Sequence, residues 1–281
     1  MVQLPAYDLR LGSRLLSLAV PRVMGILNAT PDSFFAGSRQ ATAQAAVGQA
    51  RQMVADGADI LDVGGVSTRP GAEEVAEAEE WARLQPVLEG IRQALPEVVI
   101  SVDTFRASVA RRALAAGADI INDVTGGQDP DMWPSVAQAR VPYVLMHMRG
   151  TPQTMAALTA YDDVAAEVAQ HLAHRLAAAR AAGLADVVLD PGIGFAKTPA
   201  QSFALLRQLP ALAALGAPVL IGLSRKGLIW KTLGITPNEA LNGTTALHMV
   251  ALQGGAAILR VHDVRPAVEA VRLYRAVWSE E

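Results

Sequence analysis

Arg260 and His262 in the segment LRVHDV lie two residues apart, so in an extended chain both side chains fall on one side and Val261 on the other. A cation within an apolar run is costly to bury alone, so Arg260 needs either a structural carboxylate or an anionic ligand. Other apolar runs also end in polar groups: Asn28 after VMGIL, Asp62 in ILDVGG, Asp103 in VVISVD, Asn122 in IIND and Asp190 in VVLD. Met146-His147 and Ser224-Arg225-Lys226 close two more. Taken singly, each residue is as readily structural as functional. A whole ring of them converging on one mouth points to a site.

Asp103, Asn122 and Asp190 suit a flat heterocycle with an N–C–N donor edge, because a carboxylate accepts two parallel hydrogen bonds. Met146 and Phe195 suit its faces. Arg260, His262, Asn28 and Thr68 suit an anion of the phosphate or diphosphate kind. Asn28 is also an oxygen donor of the type Mg2+ accepts when it leans on substrate phosphates. No Ser-His-Asp order is apparent and the chain has no cysteine, so no covalent intermediate is indicated. The expected chemistry is departure of a leaving group, with Mg2+, Arg and His on the anion and Asp on the developing cation.

The elements that must hold these residues follow an internal rhythm. ADGADILDVGG (55–65), AAGADIINDVTGG (115–127), AAGLADVVLDPGIG (181–194) and QGGAAILRVHD (253–263) each run from a small residue and glycine into a short apolar run and then polar residues. Glycine in the left-handed conformation ends a helix, and the apolar run reads as a parallel strand buried on both faces. Strands are expected near residues 23, 59, 99, 119, 143, 187, 219 and 257, with helices between them, the clearest from Tyr161 to Ala182. Eight such units in 281 residues predict an α/β fold, a single (β/α)8 TIM barrel spanning residues 21–281. Residues 1–20 are expected to form an N-terminal β-hairpin closing the barrel bottom.

Composition agrees with a large core: 51% of residues are hydrophobic and 18% charged. A net charge of −3 without a basic stripe argues against nucleic acid. No signal-peptide layout is visible, and the apolar stretch 208–224 is broken by Pro210, Gly216 and Pro218. A soluble, cytoplasmic protein without a membrane span is expected. Other features carry less. GIGFAKT (192–198) reads as a strand-to-helix turn, since Ala196 stands where a phosphate loop needs glycine. His171 and His174 read as a solvated helix face, His248 as structural, and EEVAEAEE (73–80) as an exposed helix start.

GILNATPDSF, DILDVGGVSTRPGA, ISVDTF, INDVTGG, LMHMRGTPQTM, LDPGIGFAKT, GLSRKG, NGTTALHMVALQGGA and LRVHDV, in order from about residue 21 to 265, resemble dihydropteroate synthase. The resemblance implies a Mg2+-dependent transferase of folate synthesis, moving an alkyl or aryl group other than methyl. Such an enzyme joins 6-hydroxymethyl-7,8-dihydropterin diphosphate to 4-aminobenzoate by an SN1-like path. It implies that Asp103, Asn122, Asp190 and Lys226 hold the pterin, Asn28 the metal, and Thr68, Arg260 and His262 the diphosphate. Ser224 and the Ser67-Thr68-Arg69-Pro70 loop should border the aminobenzoate site, where sulfonamides compete in this family. On this reading Asp103, Lys226, Arg260 and His262 are catalytic, and a homodimer is expected. Two loops, residues 28–40 and the one containing Arg69, are expected to close over the mouth and exclude water. The chain departs from the common pattern at Phe35-Ala36-Gly37-Ser38, where many members have Ser-Asp-Gly-Gly. It departs again at Val66, a frequent glutamate, and at Ala196, a frequent glycine. Two other readings share part of this pattern: a corrinoid-linked pterin methyltransferase, which has no use for a diphosphate clamp, and a non-catalytic pterin-binding paralogue.

Overall fold

The apolar runs become strands within one residue of their expected starts. The computed structural model describes residues 7–29, 39–67 and 74–278. β1 (Asp8–Leu11) and β2 (Arg14–Ser17) form an antiparallel hairpin. Then come β3 (Arg22–Asn28), β4 (Ile60–Gly64), β5 (Val99–Asp103), β6 (Ile120–Asp123), β7 (Tyr143–Met146), β8 (Val187–Asp190), β9 (Val219–Ile221) and β10 (Ala256–Val261). These eight pair in parallel in chain order, and β10 returns to β3 to close the barrel. The helices around it are α1 (Arg39–Ala55), α2 (Glu77–Ala94), α3 (Ala107–Ala115), α4 (Met132–Ala139), α5 (Val164–Ala181), α6 (Pro199–Arg207), α7 (Leu209–Ala213), α8 (Gly227–Leu233), α9 (Leu241–Gln253) and α10 (Val264–Trp278).

Strand alternation divides the core in two. Outward residues such as Leu27, Val63, Ile100, Leu145, Leu189 and Leu259 pack under the helices. Inward residues Met24, Ile60, Val99, Ile120, Val144, Val188, Leu220 and Ile258, one from each barrel strand, form a second cluster with Leu9, Leu11 and Leu18. The hairpin segment therefore fills the end of the barrel at which the strands begin. It hides apolar surface that a bare barrel would leave in water, at about 25 cal/mol per Å².

The repeat has a physical basis. Gly57, Gly117, Gly183 and Gly255 share φ values of 100°, 96°, 96° and 98°, a conformation that a side chain would strain. The aspartate that follows in two of the repeats is a latch. Asp59 Oδ2 accepts from the Val23 amide at 2.9 Å, and Asp119 Oδ2 from the Ile100 amide at 2.9 Å, so each ties its own strand to the preceding one. Arg22 neutralises the first of these carboxylates, and Arg92 and Arg14 the second.

Three expectations shift. Asp62 does not end its strand: β4 runs on to Gly64, and Asp62 sits within it, fully buried. α5 starts at Val164 and not at Tyr161, because Asp163 caps it by accepting from the amides of Ala165 and Ala166. The acidic segment 73–80 is not all exposed helix start. Glu80 is buried and accepts from Thr104 Oγ1 at 2.7 Å, and it forms an ion pair with Arg106.

Candidate active site

The residue two positions beyond each floor residue faces the same side of its strand, and on five of the eight strands the interior turns polar there. Ile60 gives way to Asp62, Val99 to Ser101, Ile120 to Asn122, Val188 to Asp190 and Ile258 to Arg260. Three of these side chains, Asp62, Asn122 and Arg260, form one network with Asp103. Asp62 Oδ2 accepts from Asn122 Nδ2 at 3.0 Å and from Arg260 Nε at 2.6 Å. Arg260 Nη2 donates to Asp103 Oδ2 at 2.8 Å. Strands β4 and β5 thus meet β10 at a single guanidinium, with β6 joined through Asp62, and that guanidinium has no partner at Nη1 among the described residues. The residues suited to an anion and those suited to a heterocycle therefore touch: Arg260 bonds both Asp62 and Asp103.

The opposite wall is built from β8 and the turn after β9. Asp190 Oδ1 accepts from the Gly192 amide at 2.7 Å. Lys226 Nζ donates to the Ile193 carbonyl at 2.6 Å and lies 4.6 Å from the centre of the Phe195 ring. Arg225 takes a left-handed φ of 54°, and its guanidinium forms a two-pronged ion pair with Asp263, at 2.7 and 2.9 Å. The same closure brings Ser224 Oγ within 3.1 Å of His262 Nδ1. Ser224 is buried, while the His262 imidazole is exposed at the rim. Met146 belongs to a small apolar cluster with Val124, Met148 and Met155, against which Phe105 and Phe195 pack.

Burial sets the protonation balance. It pushes the Asp103 carboxyl up to about 7, with Arg260 pulling it down and Asp62 pushing it further up. Burial also raises Asp190, opposed by Lys226. Lys226 falls to about 8 through burial, with Asp190 opposing the fall. For Arg260 burial favours proton loss, but Asp62 and Asp103 outweigh it and hold the guanidinium above its ordinary value.

Among the described residues no three His, Cys, Asp or Glu side chains converge as a metal cage. Asn28 ends β3 half-buried, and its carboxamide makes no hydrogen bond among the described residues. A single neutral oxygen donor fits a Mg2+ ion that keeps most of its waters and leans on substrate phosphates. Asp103, Asn122, Asp190, Arg260, Lys226, Phe195, Met146, Ser224 and His262 all belong to the same end of the barrel. Thr68 and Arg69, with Pro70 and Phe35 to Ser38, lie outside the described residues. What remains of the second loop is held at both stems, where Arg83 Nη1 donates to the Gly65 carbonyl at 3.1 Å and Arg106 Nη2 to that of Val75 at 2.6 Å.

A family model described as pterin binding enzyme matches residues 24–262. A dihydropteroate synthase of Synechocystis sp. is 48% identical over 260 residues, covering 91% of this chain and 90% of that protein. The chain belongs to the dihydropteroate synthase family. Two solved structures of a dihydropteroate synthase from Xanthomonas albilineans share the fold. One, with 4-aminobenzoic acid, has a TM-score of 0.91 at 44% identity and covers 99% of this chain and 100% of that one. The other, in complex with 7,8-dihydropteroate, has a TM-score of 0.88 at 42% identity, covering 98% and 100%.

Within this family of transferases the chain's departures can be placed in part. Ala196 holds a φ of 50° at a position where glycine would be unstrained. Val66 is half-buried just beyond β4. Three groups close to the dihydropteroate synthase site have no specific role assigned from the sequence: Asp62 and His147, named there only as members of the ring, and Lys197. A signal was present for Asp62, since it shares its strand side with Ile60 and Gly64. For Lys197 the only hint was a lysine following a strained turn.

Proposed function

We propose that this chain joins 6-hydroxymethyl-7,8-dihydropterin diphosphate to 4-aminobenzoate, releasing diphosphate and 7,8-dihydropteroate. The observation that carries the reading is the convergence of Asp62 and Asp103 on Arg260, with Asn122 bonded to Asp62, at the same rim as Asp190 and Lys226. Asp103, Asn122 and Asp190 bind the donor edge of the pterin, while Met146 and Phe195 line its faces. The C–O bond to the diphosphate breaks first, its electron pair leaving with the anion. The CH2 cation delocalises into the pterin, where the ionised Asp103 steadies it. The free edge of Arg260, exposed His262 and Thr68 receive the departing diphosphate. Asn28 would hold Mg2+, which when bound neutralises charge on that leaving group.

The amine of 4-aminobenzoate is a weak base, neutral at pH 7, so its lone pair attacks without prior proton removal. The C–N bond forms and the surplus proton passes to water. No general base is required, which agrees with a mouth whose carboxylates are occupied by Arg260 and by backbone amides. Ser224 and Arg69 border the aminobenzoate, and the loops shield the cation from water. The enzyme acts in the cytoplasm as a homodimer. Exposed Val250 on α9, with Leu273, Val277 and Trp278 on α10, supplies apolar surface for that association.

The test is direct: purified protein, pterin diphosphate, 4-aminobenzoate and Mg2+, assayed for both products. Equal amounts of dihydropteroate and diphosphate are expected, with turnover abolished by a chelator and restored by Mg2+. Absence of both products under saturating conditions would overturn the reading in favour of a non-catalytic pterin-binding role.

A further inference from the structure

Lys197 is 7% exposed, and the proposed chemistry brings it into contact with no reacting atom. Its Nζ lies 2.9 Å from His147 Nδ1, 2.9 Å from the Phe195 carbonyl and 3.1 Å from the Gly192 carbonyl, with the His147 carbonyl further off at 3.4 Å. The three donors of one ammonium thus meet three close acceptors, the full capacity of the group. Burial lowers Lys197 to about 7, with Asp190 opposing the fall. In its charged form it only donates, so Nδ1 of His147 then accepts and that imidazole is the neutral Nε2–H tautomer. Burial is the chief reason it stays neutral, with the Lys197 charge adding to the effect; its pKa falls to about 2.

The acceptors identify what the ammonium fixes. Gly192 and Phe195 are the two ends of the turn after β8, and the Phe195 amide donates to the Gly192 carbonyl at 3.0 Å. Gly192, at a φ of 67°, lies so close to the His147 carbonyl that an added Cβ would stand 2.0 Å from it. This turn supplies the Gly192 amide that holds Asp190, the Ile193 carbonyl that receives Lys226, and the Phe195 ring beside the Lys226 ammonium. It runs directly into Ala196, which holds a conformation that disfavours a side chain, so this stretch needs an external tie. We propose that Lys197 is a positioning residue of the pterin site, its ammonium pinning the Gly192–Lys197 turn to His147 so that Asp190, Phe195 and Lys226 keep one geometry. This rests on the reading of the mouth as a pterin site.

The experiment compares wild type with Lys197→Met and Lys197→Gln. Binding of pterin diphosphate with Mg2+ is measured by calorimetry without aminobenzoate, and steady-state constants are measured for both substrates. In Lys197→Met pterin affinity should fall about tenfold or more and the pterin KM rise in step, while the aminobenzoate KM moves less than about twofold. Lys197→Gln, which keeps two donors, should fall between. Val136→Ala in the outer core serves as a control for lost stability, and its pterin affinity should match wild type. A folded Lys197→Met that binds pterin as wild type does would overturn the proposal. If that variant fails to fold, wild-type pterin affinity in Lys197→Gln would overturn it equally. Failure of the wild-type protein to bind pterin diphosphate would instead remove the functional reading, and the positioning role with it.

Discussion

The floor and the rim of the barrel use the same strands and the same inward alternation, yet they are different materials. At the floor, Ile60, Val99, Ile120, Val188 and Ile258 share an apolar cluster with the hairpin. Two residues on, about 6.6 Å along each strand, stand Asp62, Ser101, Asn122, Asp190 and Arg260. The floor needs only shape and volume, and any apolar neighbour satisfies it. The rim needs specific partners, because buried charge without a counter-charge is strongly destabilising. Asp62 is the rim's most shared group: its Oδ2 serves Asn122 and Arg260, while its Oδ1 is buried without a partner among the described residues.

This contrast can be broken most forcibly at Arg260. Arg260→Ala strips Asp62 and Asp103 of their cation, and a stability loss of about 3–5 kcal/mol at pH 7 is expected in denaturant unfolding. Loss of turnover and weaker diphosphate-dependent binding of aminobenzoate should accompany it. An unchanged unfolding midpoint would show that the network stabilises nothing. The floor should behave in the opposite way. Ile120→Ala is expected to lose about 2–5 kcal/mol while both KM values stay within about twofold of wild type. A floor variant that alters KM would mean the two layers are mechanically coupled.

Asp103→Asn sharpens the comparison on the catalytic side. It should lower kcat about 10–100-fold while pterin still binds, because a neutral amide stabilises a cation poorly. Since burial raises Asp103 to about 7, the wild-type kcat/KM for pterin should decline below that pH as the carboxylate takes up a proton. It should decline again above about 8 as Lys226 loses its proton. The asparagine variant should lack the acid limb, and a limb that persists would assign it to another group. The smallest effect is expected outside both layers, at His248 in α9, whose ring nitrogens are buried without partners among the described residues. Burial lowers it to about 4, so the unfolded chain binds the proton first. Stability should then fall as pH drops from about 6.5 to 4, and His248→Leu should recover about 1–3 kcal/mol at the low end. Parallel pH–stability curves for the two proteins would contradict this.

Much of the fold was legible because it is local. Strand starts expected at 23, 59, 119 and 257 fall at 22, 60, 120 and 256, since glycine punctuation and apolar runs are written in adjacent residues. The members of the ring were legible for the same reason. Their partners were not. Arg260 meets Asp62 across 198 positions, and no run of neighbouring residues records such a contact. Lys197 looked like part of an ordinary turn because its three acceptors, two of them backbone carbonyls, become a cage only after folding. Glu80 looked exposed because the acidic run around it is, and only Thr104 and Arg106 from the neighbouring unit reveal its burial.

The hairpin that seals the floor is made of the earliest described residues of the chain, whereas the last strand it packs against includes Ile258. On a ribosome Leu9 and Leu11 emerge long before that surface exists. The seal must therefore wait until almost the whole polypeptide has been made, and in the interval the half-built barrel exposes apolar surface and unpaired strand edges. Contacts so distant in sequence make folding slow and leave partly made chains prone to aggregation.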